Sequence, residues 1–321
     1  MRARLAFGLM LGLVGASPCL AADPPGPDGA SPDAKKVPEP GFLLFSDTQV
    51  SYRYVFPSAE PGVSVRDASG QAVGRAIPKN VLNVFHTNTW AYGTNLFSVD
   101  VLQSGSQDPA GDKFGVDPRR GATEVYGLYR GTLSLNKMLD TRTFAVDGLV
   151  KDVALSYGAD LNTKNTRFGP EKRLGVFGLS FAADVPVGFL NIRVHASKEW
   201  NRNGFGVGDF RSVEYKWAPE FEVAYSFPLT FTGLPLSLAG FNNVILPKGP
   251  YGTLNQFQTK TEWLSRTNIV LDVGKLVYGQ PNKVDVFVGF QYWLNKFGNN
   301  PKNTINTEEK AFLFGVAFHA P

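Results

Sequence analysis

The chain has 321 residues, a formal net charge of +4 and a single cysteine. Its longest apolar run, Leu5–Ala16, is shorter than the roughly 20 apolar residues that a membrane-crossing helix needs, which excludes a polytopic helical membrane protein. Aromatic residues make up 13% of the chain, enough to bury a sizeable core and to exclude wholesale disorder. With 34 glycines and 25 phenylalanines, a soluble all-β protein and a transmembrane barrel are left to decide between.

Residues 1–22 read as a signal peptide: Arg2 and Arg4 precede the apolar run, and Ala21-Ala22 offers a small-residue cleavage site. Its removal takes Cys19 with it, which excludes disulfide scaffolds, thiolate metal sites and CxxC chemistry in the mature chain. Losing the two arginines also lowers the net charge to about +2, too balanced to point to nucleic acid as a partner. Residues 23–45 carry six prolines among Gly, Asp and Lys, and predict an extended periplasmic linker.

From Ser46 onward the pattern changes to period two. Thr48, Val50, Tyr52, Tyr54 and Phe56 alternate with Gln49, Ser51 and Arg53. Such alternation is a strand whose two faces meet different surroundings. It recurs at 152–161, 190–195, 220–227, 284–293 and 312–318, and less clearly at 79–90, 94–103, 122–135, 173–185, 235–246 and 257–271. In the last of these, Thr259, Thr261 and Ser265 fall on the expected outer face, so its register is open. Connections alternate in length: 57–78, 104–121, 163–172, 201–216, 247–256 and 295–308 are long, whereas 91–93, 137–148, 186–187, 229–234 and 272–282 run shorter.

The two faces decide between the classes. Apolar residues hold one face, while the other carries Arg53, Asp100, Glu124, Arg130, Asp152, Asp160, Asp184, Arg193, Glu199, Glu220, Glu222 and Asp285. A soluble barrel puts apolar residues inside and charges outside; a polar interior under an apolar exterior is what a bilayer-spanning barrel requires, since hydrocarbon cannot solvate charge. The sequence therefore predicts an all-β fold over 46–321. It is a single transmembrane antiparallel up-and-down β-barrel of about twelve strands in the bacterial outer membrane, with short periplasmic turns and long outer loops.

With the strands placed, the sequence resembles the Tsx-type nucleoside-specific channels. The resemblance is carried by TNLFSVDVLQS (94–104), EVYGLYRGTLSLNKM (124–138), VKDVALSYGADLNTKN (150–165), FEVAYSFPLTFTGLPLSLAGFNN (221–243) and VDVFVGFQYWLNKFGN (284–299). It implies a monomeric twelve-stranded barrel whose narrow lumen holds nucleosides between aromatic and ionisable side chains. One departure is that His319, Ala320 and Pro321 follow Phe318, where such barrels commonly finish on an aromatic residue. By parity Tyr126, Phe287 and Trp293 point inward as stacking faces. Glu124, Arg130, Asp100, Arg53, Arg193 and His195 do so as polar partners for ribose and base edges. The bland alternative is that the same charges form an ion-pair ladder filling the lumen.

Other signals are weak. The run GFGVGDF (204–210) lacks the following helix that a phosphate cradle needs. His86, His195 and His319 have no metal-ligand spacing along the chain, so neither a metal nor a cofactor is expected. A lipase would show a Ser–His pair at the lipid-facing rim, and a receptor or adhesion barrel would work through its long outer loops. The leading expectation is a passive channel, not an enzyme, for nucleosides or similar small solutes. Its other partners would be outer-membrane lipid, periplasmic chaperones and the barrel-assembly machinery.

Overall fold

The computed structural model describes residues 42–320 apart from 107, 109–120, 166–169, 203–211 and 252–256. The signal segment, most of the proline-rich stretch, the 204–210 glycine run, Pro321 and much of the loops 104–121 and 201–216 lie outside the described residues. Strand β1 (Leu43–Arg66) begins at Leu43, inside the stretch read as linker. It is followed by β2 (Ala72–Trp90), β3 (Gly93–Ser104), β4 (Thr123–Ser134), β5 (Val150–Lys164), β6 (Glu171–Ala183) and β7 (Phe189–Arg202). Next come β8 (Ala218–Pro228, prolonged by Ser212–Glu214), β9 (Leu236–Ile245), β10 (Glu262–Asp272), β11 (Val284–Leu294) and β12 (Glu309–Ala320).

Each strand pairs antiparallel with its sequence neighbours, and β12 returns to β1 through Thr48↔Ala320 to Val55↔Leu313. The sheet is thus a closed twelve-stranded barrel with no free edge. Twelve strands about 4.8 Å apart and tilted about 40° enclose a ring roughly 24 Å across between backbones. Both described termini lie at the periplasmic end. The connections there include the two-residue turn after Trp90 and two short helices, α1 (Leu135–Met138) and α2 (Val273–Tyr278). Side-chain caps start both helices: Ser134 accepts from the Lys137 amide and Asp272 from the Lys275 amide. Among the described residues no helix is long and apolar enough to cross a membrane.

The expected strands and inward parity appear in the structure, with three corrections. Residues 57–78 are not a loop: β1 and β2 continue outward as a paired hairpin to the turn after Arg66. Pro57 and Pro61, which suggested a loop, sit where the register shifts between Val55 and Ser58 and between Ala59 and Ser64. A bulge is where a strand can accept a residue that has no amide to donate. Next, β10 starts at Glu262, placing Ser265 and Thr267 outward, while Phe257–Gln258 forms a small ribbon with Pro250–Tyr251. Finally, Asp184 does not face the lumen; it lies exposed in the β6–β7 turn, 3.5 Å from Lys151.

The outer wall is apolar through its middle. Val84, Phe97, Phe177, Ile192, Ile269, Val288 and Phe314 are exposed there. Outward ionised groups stand toward the strand ends, such as Lys151, Arg173, Lys198 and Lys310. Ring pairs mark both rims: Trp263 with Tyr292 at 5.3 Å on the outer side, Phe42 with Trp90 at 5.3 Å on the periplasmic side. Glycine lets outward tyrosines lie flat on this wall. A Cβ on Gly131 would stand 2.5 Å from the Tyr157 ring, and one on Gly240 2.5 Å from the Tyr225 hydroxyl.

Candidate functional site in the barrel lumen

Period two sends every second side chain inward, and the lumen receives most of the chain's buried charge. It is organised in layers along the axis. At mid-barrel, Arg130 of β4 reaches across a chord of the ring: Nε and Nη2 donate to Glu222 Oε1 of β8 at 2.9 and 2.7 Å. Its Nη1 donates to Asp160 Oδ1 of β5 at 2.6 Å. Room for this comes from Gly158, the register partner of Arg130, where a Cβ would meet Arg130 Cδ at 2.7 Å. Arg193 Nη1 donates to the other Glu222 oxygen at 3.3 Å, and Tyr126 donates its hydroxyl to Asp160 at 2.6 Å. His195 Nε2 lies 2.9 Å from Ser156 Oγ.

Toward the outer end the strands are capped by their own connections. The β11–β12 link turns inward at Asn295 and Phe297, both with positive φ, and buries Lys296. Lys296 Nζ donates to Glu309 at 2.5 Å and to Glu60 at 3.2 Å, and stands 4.7 Å from the Trp293 ring. Lys248, from the β9–β10 link, pairs with Glu199 and lies 3.6 Å from Glu262. Lys79 adds a 2.7 Å bond to Glu60, and Lys164 one of 2.7 Å to Asp108 of the β3–β4 link. A loop does therefore fold into the mouth of the barrel.

Between cap and crossing lies a cavity of about 90 Å³. Ten ionisable side chains line it, five of each sign: Arg53, Lys79, Lys172, Arg266 and Lys296 against Asp100, Glu124, Asp160, Glu262 and Glu309. Tyr126, Trp293 and Phe297 supply aromatic surface.

Of the residues singled out from sequence, Arg53, Asp100, Glu124, Tyr126, Asp160 and Trp293 line this cavity, and Arg130, Arg193 and His195 lie in the mid-barrel cluster. Arg53 and Asp100 pair at 2.5 Å, Asn162 donates to Glu124 at 2.5 Å, and Trp293 donates to Glu262 at 2.9 Å. Phe287 stands apart, packed with Val55, Val81, Phe241, Val270 and Leu313 in an apolar layer of the lumen. Sequence reasoning missed Lys79, Lys172, Arg266 and Glu309, whose strand parity could have found them. It had no signal for Glu60, Lys248 and Lys296, which loops and a bulged extension deliver.

The histidines separate cleanly. His86 faces outward, with Thr48 Oγ1 at 3.0 Å and Asn88 Nδ2 at 3.2 Å as partners, so no Ser–His pair forms at that lipid-facing position. His319 is no overhang: it lies within β12, turned inward between Asp47 at 3.0 Å and Asp285 at 3.1 Å. The cross-strand pair His195↔Glu220, together with Arg193↔Glu222, gathers His195, Glu220 and Glu222 into one cluster. Spacing along the chain could not reveal that gathering.

A closed barrel satisfies its backbone and pairs its charges internally, and its apolar belt between aromatic rims is a surface that lipid covers. The chain is an outer-membrane barrel. No protein-family model matches the sequence, and no curated protein matches it. Among solved structures it is similar to an outer membrane channel from Pseudomonas putida F1, at 10% identity and a TM-score of 0.48, covering 88% of this chain and 99% of that one. It is also similar to the NanC porin, at 11% identity and a TM-score of 0.41, covering 85% and 99%. A third is the translocator domain of the autotransporter NalP from Neisseria meningitidis, at 11% and 0.41, covering 85% and 88%. Identities this low carry no activity across.

Proposed function

We propose that the barrel is a passive channel for small polar solutes, resting shut in the conformation described. The observation that carries this reading is the cavity, with five cationic and five anionic side chains facing one another around it. Matched charge leaves the cavity wall with no net charge to favour ions of one sign. The same wall offers donors and acceptors on every side to replace the water around an uncharged polar solute. Nucleosides are the cargo we infer, on the resemblance to Tsx-type channels and on the aromatic surface of Tyr126 and Trp293, where stacking is worth about 1–3 kcal/mol per base. Transit past the Lys296 cap and the Arg130 crossing requires both ion-pair sets to part.

Purified barrel in planar bilayers and in liposome-swelling assays tests both levels. Arg130→Ala is expected to raise single-channel conductance, and added nucleoside to lower the current. Swelling should be faster with nucleosides than with sugars or amino acids of similar size. A folded barrel passing neither ions nor any of these solutes would sink the channel reading. Swelling without nucleoside preference would remove only the cargo.

A further inference from the structure

The mid-barrel cluster contains more than an ion-pair crossing. One ligand-capable atom each from His195, Glu220 and Glu222 lies within 4.8 Å of the other two, and all three side chains are buried. Two atoms of this cluster are fully buried and without a hydrogen-bond partner: His195 Nδ1 and Glu220 Oε2. Both residues are more than nine-tenths buried. A buried imidazole nitrogen and a buried carboxylate oxygen left unpartnered in one cluster are costly unless something else satisfies them.

We propose that His195, Glu220 and Glu222 form a divalent-cation site in the lumen wall, with Zn2+ as the ion that suits it. One imidazole with two carboxylates is a nitrogen–oxygen set of the kind that leaves Zn2+ a fourth position for water. The rest of the surroundings fit that role. Ser156 Oγ engages Nε2 and leaves Nδ1 without a partner, and a second hydrogen bond of this kind is the support that metal-binding histidines regularly receive. Asn243 Nδ2 holds Glu220 Oε1 at 3.0 Å and leaves Oε2 turned away from it. Glu222 is held by Arg130 and Arg193, and Arg130 Nη2 also stands 3.8 Å from Glu220 Oε1, so the unpartnered Oε2 of Glu220 is the main anionic group offered to the ion. Those guanidinium groups also weaken the site by repulsion, which makes it an exchangeable one. His319 is the counter-example, since both its nitrogens face carboxylates and none is left for an ion. Asp160 and Asn243 line the cavity and touch this cluster as well, so an ion entering the cavity has one layer to cross.

Titration of the refolded, detergent-solubilised chain with Zn2+ against a chromophoric chelator is the test, and it does not depend on any conductance. Saturable binding of one Zn2+ per chain is expected. His195→Ala and Glu220→Gln should each weaken it about tenfold or more, with His86→Gln unchanged. X-ray absorption of the loaded wild-type protein should report an oxygen-rich shell containing a single imidazole. Absence of saturable binding by the wild type overturns the site, which then holds only water. Binding that survives both His195→Ala and Glu220→Gln, or a shell with no imidazole, overturns it equally. The wild-type titration and spectrum are decisive on their own, so a variant that fails to fold does not blunt the test.

Discussion

Arg130 illustrates how much one inward side chain can organise. Its guanidinium joins β4 to β5 and β8 through Asp160 and Glu222, and it is 1% exposed. Removing one member of a buried ion network strands its partners, at a typical cost of about 3–5 kcal/mol. Arg130→Ala is therefore expected to destabilise the barrel by about that much in urea-dependent unfolding from vesicles, with the lost heat-modifiable gel band as a second readout. An unchanged midpoint would mean that water replaces the crossing without loss. The direction in which Arg130 points was legible from alternation along β4. Its partners were not, because Glu222 stands 92 positions away along the chain. Gly158, which makes the space, reads as just one more strand glycine.

At the scale of elements, the β1–β2 hairpin shows why prolines misled. Alternation continues through Val63 and Val65, but Pro57, Pro61 and Gly62 interrupt it at the places where the ladder slips. The extension beyond the barrel is steadied from one side by Asn306, whose Nδ2 donates to the carbonyls of Glu60, Val63 and Arg75 at 3.1, 3.3 and 2.8 Å. Gly62 adds a backbone bond to Ile305 at 2.9 Å. Asn306→Ala leaves three carbonyls without that donor, so the hairpin is expected to open more often. Limited trypsin digestion should then cut after the exposed Arg66 several-fold faster than in the wild type, with the barrel core still resistant. Equal cutting rates would show that strand pairing alone holds the hairpin. Strand existence was legible in the sequence because lipid on one side and charge on the other impose period two. Loop-borne groups such as Lys248 and Lys296 obey no period, and so the cap was not legible.

For the whole molecule, the two-faced wall makes its own prediction. Val288 is 58% exposed on the lipid face, and Val288→Arg there is expected to cost about 2–4 kcal/mol of stability in bilayers. Refolding titrations into vesicles measure it; a cost near zero would place Val288 outside the hydrocarbon. The fold was readable because its rule is simple and repeated twelve times over. The site was readable only as far as parity reaches: six of the residues that line the cavity, the crossing, and Phe287 as an inward residue whose neighbours turned out to be apolar.

The seam between β1 and β12 carries a temporal consequence. His319 and Asp47, which meet there, are separated by 272 positions. Until β12 docks, β1 and β11 each present a row of unpaired amides that hydrocarbon cannot satisfy. Joining contacts so remote along the chain is entropically slow. The ring is therefore finished by its last-made segment meeting its first, and the interval before that meeting is set by distance along the polypeptide.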